Sequence, residues 1–176
     1  MRAVFLDRDG VINEAIVRDG KPYPPDSIAE LRLVAGVERA LDQLKGSGFL
    51  LMVVTNQPDV ARGRTTRENV ESMHRYLSER LPLDGVYCCY HGGPEDCGCR
   101  KPKPGLLLQA AEEWEIDMSA SFMVGDRWRD VDAGLAAGCR TVLIDYGYEE
   151  RAPEGAPSAR VASLPAAVEW ILEQAR

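Results

Sequence analysis

The sequence predicts a three-layer α/β fold, in which a doubly wound, mostly parallel sheet of Rossmann-like type lies between two layers of helices. Short apolar or β-branched segments alternate along the chain with segments whose apolar residues recur at helical spacing. Strands separated by helices pair in parallel, and right-handed crossovers place the helices on both faces of the sheet. With 176 residues, 45% of them hydrophobic, the chain suits one globular domain over residues 1–176 without a large cap domain.

Five segments predict the strands of this sheet. They are short and apolar along their whole length, which is typical of parallel strands that are buried on both faces. The predicted strands are residues 3–6, 49–54, 85–90, 121–124 and 141–144. Residues 151–159, which are rich in Pro, Ala and Gly, predict a surface loop before the last helix.

Helices are predicted where apolar residues return every three or four positions. Their apolar faces lie within residues 37–44, 70–77, 107–114 and 168–172. Thr66 and Ser163 are candidate N-terminal caps, and Pro165 suits the first turn of the last helix. Gly46 and Gly48 indicate the end of the first helix.

The composition excludes several classes of partner. The formal net charge is -7, only 7% of the residues are aromatic, and there is no basic tract, so a general nucleic-acid surface is not expected. The longest apolar run, residues 49–54, is too short to span a bilayer, and Asp7 interrupts the apolar N-terminus. We therefore expect a soluble, cytoplasmic monomer whose partner is a small molecule rather than a nucleic acid or a membrane.

Acidic residues follow two of the predicted strands. In doubly wound sheets the ligand site lies beyond the carboxyl ends of the strands, so these positions are candidates for function. Asp7 and Asp9 follow the first strand, and Gly10 allows the backbone to turn sharply after them. The two carboxylates could therefore share a cation, and the alternative is a solvated Asp-Gly turn. Asp126 and Asp130 follow the fourth strand, although an acid in that segment also suits a helix N-terminus.

Hydrogen-bond donors and bases follow the other two strands of the predicted site. Thr55-Asn56-Gln57 ends the second strand and offers donors to phosphate oxygens, and Arg100-Lys101 precedes a helix and could bind a dianion. Either segment alone could be an ordinary solvated turn. Taken together, the four strand ends place acidic groups, hydroxyl and amide donors and basic groups at one edge of the sheet. This combination predicts a site that binds a cation and a phosphate.

A cluster of cysteines predicts a second metal site in a loop of about residues 88–100. Cys89, His91, Cys97 and Cys99 are a ligand set suited to tetrahedral Zn²⁺, with Cys88 as a competing first ligand and buried, unliganded cysteines as the alternative. Four protein ligands leave no position for water, so the zinc would be structural and would fix the loop that leads to Arg100 and Lys101. Outside this loop, Cys139 is expected to be a buried packing residue, and His74 is expected to be a surface or partly packed histidine rather than a catalytic base.

These motifs resemble the haloacid dehalogenase superfamily of phosphatases over nearly the whole chain. The resemblance rests on Asp7-Arg8-Asp9-Gly10, Thr55-Asn56, Lys101 and Gly125-Asp126 with Asp130. The longer runs Asp7 to Asn13, Ala61-Arg62-Gly63 and Cys99-Arg100-Lys101-Pro102 resemble more narrowly the branch that contains heptose bisphosphate and histidinol phosphatases. The branch resemblance favours Cys89 over Cys88 as the first zinc ligand.

The resemblance implies a magnesium-dependent phosphomonoesterase that forms an aspartyl phosphate. It implies that Asp7 is the nucleophile, that Asp9 is the general acid and base, and that Mg²⁺ is held by Asp7, the main-chain carbonyl of Asp9, and Asp126. Lys101 would neutralise the transferring phosphoryl group, with hydrogen bonds from the segment Thr55-Asn56-Gln57. Arg100 and Arg127 would hold a second anionic or hydroxylated part of the substrate.

Several functions remain open at this point. The resemblance implies loss of the 7-phosphate from D-glycero-D-manno-heptose 1,7-bisphosphate, while histidinol phosphate and other small sugar or polyol phosphates are alternative substrates. A different class of protein, a non-catalytic phosphate-binding module stabilised by zinc, would bind its ligand without turnover. A phosphomutase is less favoured because a long-lived phosphoenzyme needs a cap that excludes water.

Overall fold

The computed structural model describes residues 1–93 and 97–175 of the chain. Its strands are β1 (Ala3–Leu6), β2 (Ile16–Arg18), β3 (Lys21–Tyr23), β4 (Leu50–Asn56), β5 (Gly85–Cys89), β6 (Phe122–Gly125), β7 (Arg140–Ile144) and β8 (Ala159–Val161). Six of them form one parallel sheet in the order β5-β4-β1-β6-β7-β8, and β2 pairs with β3 in an antiparallel hairpin. This confirms the predicted doubly wound α/β fold.

The helices form the two outer layers. They are α1 (Val37–Gly46), α2 (Arg67–Ser78), α3 (Gly105–Trp114), α4 (Trp128–Ala137) and α5 (Leu164–Gln174). Buried side chains of α1, α2 and α5 pack with those of one face of the sheet, and buried side chains of α3 and α4 pack with those of the other. In the central strand β1, Val4 and Leu6 face the first layer, whereas Ala3 and Phe5 face the second.

Local sequence features set the ends of the helices as expected. The Thr66 hydroxyl caps α2 by accepting from the main-chain nitrogen of Asn69, and the Ser163 hydroxyl caps α5 by accepting from that of Ala166. Helix α1 ends at Gly46, and Gly48 adopts a left-handed φ of 83° two residues later. The start of α2, the start of α5 and the end of α1 therefore lie where the sequence predicted them.

The strand boundaries differ from the predicted ones where neighbouring strands decide them. Strand β4 continues to Asn56 because Thr55 and Asn56 pair with Cys88 and Cys89 of β5. Strand β5 ends at Cys89 rather than at residue 90. Two residues of the predicted site thus lie on the rigid end of a strand and not in a loop.

The β2–β3 hairpin and strand β8 were not predicted. Asp19 and Gly20 connect the hairpin, both with positive φ, and such an Asp-Gly pair is the sequence feature that indicates a two-residue turn. Strand β8 has three residues at the edge of the sheet, too few for a periodic pattern. The hairpin forms a two-stranded sheet of its own, separate from the six-stranded sheet.

Candidate active site

The carboxyl ends of β1, β4 and β6 bring the predicted site residues together. Because β1 lies between β4 and β6 in parallel register, Asp7, Thr55 and Asp126 emerge at one edge of the sheet. The main-chain nitrogen of Asp7 still donates to the carbonyl of Val124, at 3.0 Å, so the first acid is anchored to the neighbouring strand. Lys101 reaches the same point from the loop after β5.

Three carboxylates form a buried acidic cluster: Asp7, Asp126 and Asp130 each offer an oxygen, and the three oxygens lie within 4.8 Å of one another. Burial, followed by the charge of Asp130, raises the pKa of Asp7 to about 7. Burial and the charge of Asp7 likewise raise the pKa of Asp126. So many buried acids in so small a space require a cation to hold them in the charged form.

The acidic cluster fits a magnesium ion. Among the described residues, the buried Oδ1 atom of Asp126 has no hydrogen-bond partner, while the Tyr148 hydroxyl donates to its Oδ2 at 2.9 Å. A buried carboxylate oxygen without a donor is unfavourable unless a cation binds it. Gly10, with a φ of 90°, passes so close that a Cβ atom there would overlap the Asp126 carboxylate. Hard oxygen donors of this kind are the ligands of Mg²⁺.

Lys101 neutralises part of the cluster. Its ammonium group, only 2% exposed, donates to Asp7 at 2.9 Å, to Asp130 at 2.7 Å and to the carbonyl of Val54 at 2.7 Å. Burial lowers the pKa of Lys101, but the charges of Asp130 and Asp7 outweigh it and raise the pKa above its usual value. Lys101 therefore stays a cation next to the predicted nucleophile.

Asn56 and Gln57, for which the sequence predicted contacts to phosphate, also make hydrogen bonds to protein groups of the site. Asn56 exchanges two hydrogen bonds with the main chain of Lys101, at 3.0 and 3.1 Å. The Gln57 amide nitrogen donates to Asp9 Oδ2 at 2.8 Å and to the Thr55 hydroxyl at 3.0 Å. The tertiary structure thus gives both amides a positioning contact, which no local pattern could indicate.

The Asp9 carboxylate lies outside the acidic cluster and is held by a different set of donors. Arg8 donates to both of its oxygens, and the Asn13 side chain donates to Oδ1 at 2.9 Å. Burial raises the pKa of Asp9, but the Arg8 guanidinium and the hydrogen bonds of Asn13 and Gln57 outweigh it and lower the pKa below its usual range. Asp9 is therefore a carboxylate with a defined orientation.

A cleft of about 300 Å³ opens above these residues, and its wall carries several cationic side chains. Arg100 and Arg127, which the sequence predicted, line this cleft. The guanidinium group of Arg100 donates to the carbonyl of His91 at 2.7 Å, and that of Arg127 donates to Glu150 at 2.6 Å. Arg62 and Arg64, which belong to or adjoin the Ala61-Arg62-Gly63 motif, also line the cleft, as do Lys21 and Arg129, which the sequence did not indicate. The β2–β3 hairpin supplies Lys21 and therefore forms part of the cleft wall.

The predicted zinc ligands also converge. Single ligand atoms of Cys89, His91, Cys97 and Cys99 all lie within 4.8 Å of one another. The sulfur atoms of Cys89 and Cys99 are 3.1 Å apart, and each is 3.3 Å from Nδ1 of His91. Cys88 points to the other face of β5, where burial raises the pKa of its thiol to about 12. Residues 94–96 of the predicted loop lie outside the described residues.

Across residues 1–93 and 97–175, every helix is too short or too polar to cross a lipid bilayer.

Comparisons with known proteins agree with this site. A family model described as HAD-hydrolase-like matches residues 98–168. The D-glycero-beta-D-manno-heptose-1,7-bisphosphate 7-phosphatase of Helicobacter pylori is 40% identical over 149 residues, which are 81% of this chain and 83% of that protein. The enzyme of the same name from Escherichia coli K12 is 38% identical over 183 residues, which cover 94% and 93% of the two chains.

A solved structure matches the whole fold. The D,D-heptose 1,7-bisphosphate phosphatase of B. bronchiseptica, crystallised with magnesium and phosphate, has a TM-score of 0.82 and 30% sequence identity, and the match covers 99% of both chains. A likeness of this extent covers the sheet and both helical layers, and not the sheet alone.

Proposed function

The chain belongs to the haloacid dehalogenase-like phosphatases, and on this premise we propose that it removes the 7-phosphate from D-glycero-β-D-manno-heptose 1,7-bisphosphate with Mg²⁺. The observation that carries the proposal is the buried cluster of Asp7, Asp126, Asp130 and Lys101 beneath a cleft lined with basic side chains. The cluster suits one phosphoryl group, and the further cations of the cleft suit a second phosphate on the same substrate.

We assign the metal ligands from the same cluster. Asp7, Asp126 and the main-chain carbonyl of Asp9 would hold Mg²⁺, and the bound ion would neutralise charge on the phosphoryl oxygens. Asp130 pairs with Lys101 and accepts from the main-chain nitrogen of Arg127 at 3.0 Å, so its role is to hold Lys101 in place.

The first chemical step is attack by Asp7 on phosphorus. Oδ1 of Asp7 accepts from Lys101 and from the main-chain nitrogen of Arg8, so the other oxygen is the one we assign to the attack. Lys101 balances the negative charge of the dianion that would otherwise repel the carboxylate. The P–O bond to the sugar breaks, and the phosphoryl group is left on Asp7 as an aspartyl phosphate.

Asp9 completes the reaction by proton transfer. The approach of a phosphate dianion raises the pKa of a nearby carboxyl group, so substrate binding would favour a proton on Asp9. Asp9 gives this proton to the leaving sugar alkoxide, and as a carboxylate it then takes a proton from the water that hydrolyses the aspartyl phosphate. The hydrogen bonds from Gln57 and Asn13 keep it oriented through both steps.

The basic wall of the cleft favours the bisphosphate over histidinol phosphate, which carries a cationic amine. Asp59, the acid of the cleft best placed to meet an amine, is already paired with Arg62 at 3.4 Å and with Arg64 at 3.5 Å. A screen of phosphate release should therefore give a kcat/KM for the heptose bisphosphate at least about tenfold above that for sugar monophosphates and histidinol phosphate, since one charge-assisted contact contributes about 1.5–3 kcal/mol.

Turnover in this screen should disappear when Mg²⁺ is chelated. A preference for histidinol phosphate would overturn the substrate assignment alone. Tight binding of the bisphosphate with no phosphate release at any Mg²⁺ concentration would instead support a non-catalytic binding module.

We propose that Cys89, His91, Cys97 and Cys99 hold a structural zinc ion. The purified protein should contain about one zinc per chain, and Cys99→Ser should lower this content, because a serine hydroxyl is a poor replacement for a thiolate ligand. The same variant should reduce kcat/KM, since Cys99 directly precedes Arg100 and Lys101. Cys88→Ser is the matched control and should keep its zinc, as measured by metal analysis; full zinc content in Cys99→Ser would contradict the assignment.

A further inference from the structure

Behind the candidate active site, a fully buried arginine connects Asp9 to a histidine of α2. The guanidinium of Arg8 donates to Asp9 Oδ1 at 3.1 Å from Nε, and to Oδ1 and Oδ2 at 3.0 and 3.2 Å from Nη2. On its other side, Nη1 lies 3.3 Å from Nε2 of His74. Arg8 is 0% exposed, so its guanidinium cannot exchange these partners for bulk water, and His74 is 8% exposed.

The chemistry of arginine decides the direction of the contact with His74. A guanidinium group only donates and remains protonated in proteins, so Nε2 of His74 must be the acceptor and His74 must be neutral. Burial, together with the Arg8 charge, lowers the pKa of His74 to about 4, which agrees with a neutral ring. His74 therefore offers a fixed lone pair to a buried cation.

We propose that His74 is a positioning residue for the reaction, which holds Arg8 and through it the Asp9 carboxylate. Asp9 lines the cleft whereas Arg8 does not, and Gln57 and Asn13 donate to the same carboxylate as Arg8. Without an acceptor at His74, Nη1 has lost its partner and the guanidinium turns toward another one, which moves Asp9 with it. The inference rests on the proposed function, because it assumes that Asp9 protonates the leaving group.

The test uses two substrates that differ in their need for that proton. A sugar phosphate leaves as a basic alkoxide and requires an acid, whereas p-nitrophenyl phosphate leaves as a stable phenolate that does not. His74→Leu should lower kcat/KM for the heptose bisphosphate about 10- to 100-fold, which is the loss expected for a misplaced acid. For p-nitrophenyl phosphate, the same variant should lower kcat/KM by less than about threefold. His74→Gln keeps an acceptor and should stay within about threefold of the wild type on both.

The value of kcat/KM reports steps up to the first irreversible one, so it isolates leaving-group departure from hydrolysis of the phosphoenzyme. If His74→Leu does not fold, His74→Ala with added imidazole takes its place. His74 lines a separate surface cleft, so imidazole can enter the cavity and should restore activity on the bisphosphate only. Wild-type protein with the same imidazole is the control.

Equal losses on both substrates in His74→Leu, or the same loss in His74→Gln, would overturn the inference and leave His74 a packing residue. Asp9→Asn separates this failure from that of the proposed function. If Asp9→Asn lowers kcat/KM selectively for the bisphosphate and His74→Leu does not, only the inference fails. If Asp9→Asn lacks that selectivity, Asp9 is not the acid, and the inference falls with the assignment on which it rests.

Discussion

Asp7→Asn should lower kcat by at least about two orders of magnitude, because an amide of the same shape cannot attack phosphorus. The substitution keeps the volume of a buried site, and it removes one of three crowded carboxylates, so we expect the fold to persist. With labelled substrate and an acid quench, the wild-type protein should carry phosphate on a carboxyl group and Asp7→Asn should not. The acid-quench experiment therefore tests whether formation of the aspartyl phosphate is the step that is lost.

Asp145→Asn is the matched control for this experiment. Asp145 also follows a strand at the carboxyl edge of the sheet, but it is exposed and pairs with Arg160 at 2.7 Å. Its variant should keep turnover close to that of the wild type. Turnover near the wild-type level in Asp7→Asn, or labelled phosphate still bound to that variant, would rule out Asp7 as the nucleophile.

Lys101→Met should remove both activity and a large part of the stability. Its ammonium group is the shared partner of Asp7 and Asp130, and all three groups are buried. Breaking a buried ion pair by removing one partner costs about 3–5 kcal/mol, since the remaining charges are left uncompensated. The loss of positive charge beside the transferring phosphoryl group should lower kcat about 100- to 1000-fold.

Urea unfolding and steady-state kinetics measure the two effects on the same protein. Lys103→Met is the control, because Lys103 lies two residues away, is exposed, and donates to the carbonyl of Cys97 at 2.6 Å rather than to the buried acids. It should change the free energy of unfolding by less than about 1 kcal/mol. A Lys101→Met protein as stable and as active as Lys103→Met would show that the buried triad has no role.

The sequence was most informative where a local rule applied. The alternation of strands and helices, the caps at Thr66 and Ser163, and the chemistry after each strand follow from neighbouring residues and from the general geometry of parallel sheets. The comparisons confirmed the fold class and the phosphatase class that these features predicted. The Asp19-Gly20 turn could also have indicated the hairpin, but the proline in β3 hid the strand pattern.

By itself, the sequence determined which residues reach the carboxyl edge of the sheet, because parallel strands with right-handed connections bring their ends to one place. Only the tertiary structure decided which groups pair there: Asp130 with Lys101, Tyr148 with Asp126, Gln57 with Asp9, and His74 with Arg8. The physical reason is that a hydrogen bond or ion pair between residues dozens of positions apart depends on side-chain orientation after packing. No periodicity or local motif encodes that orientation.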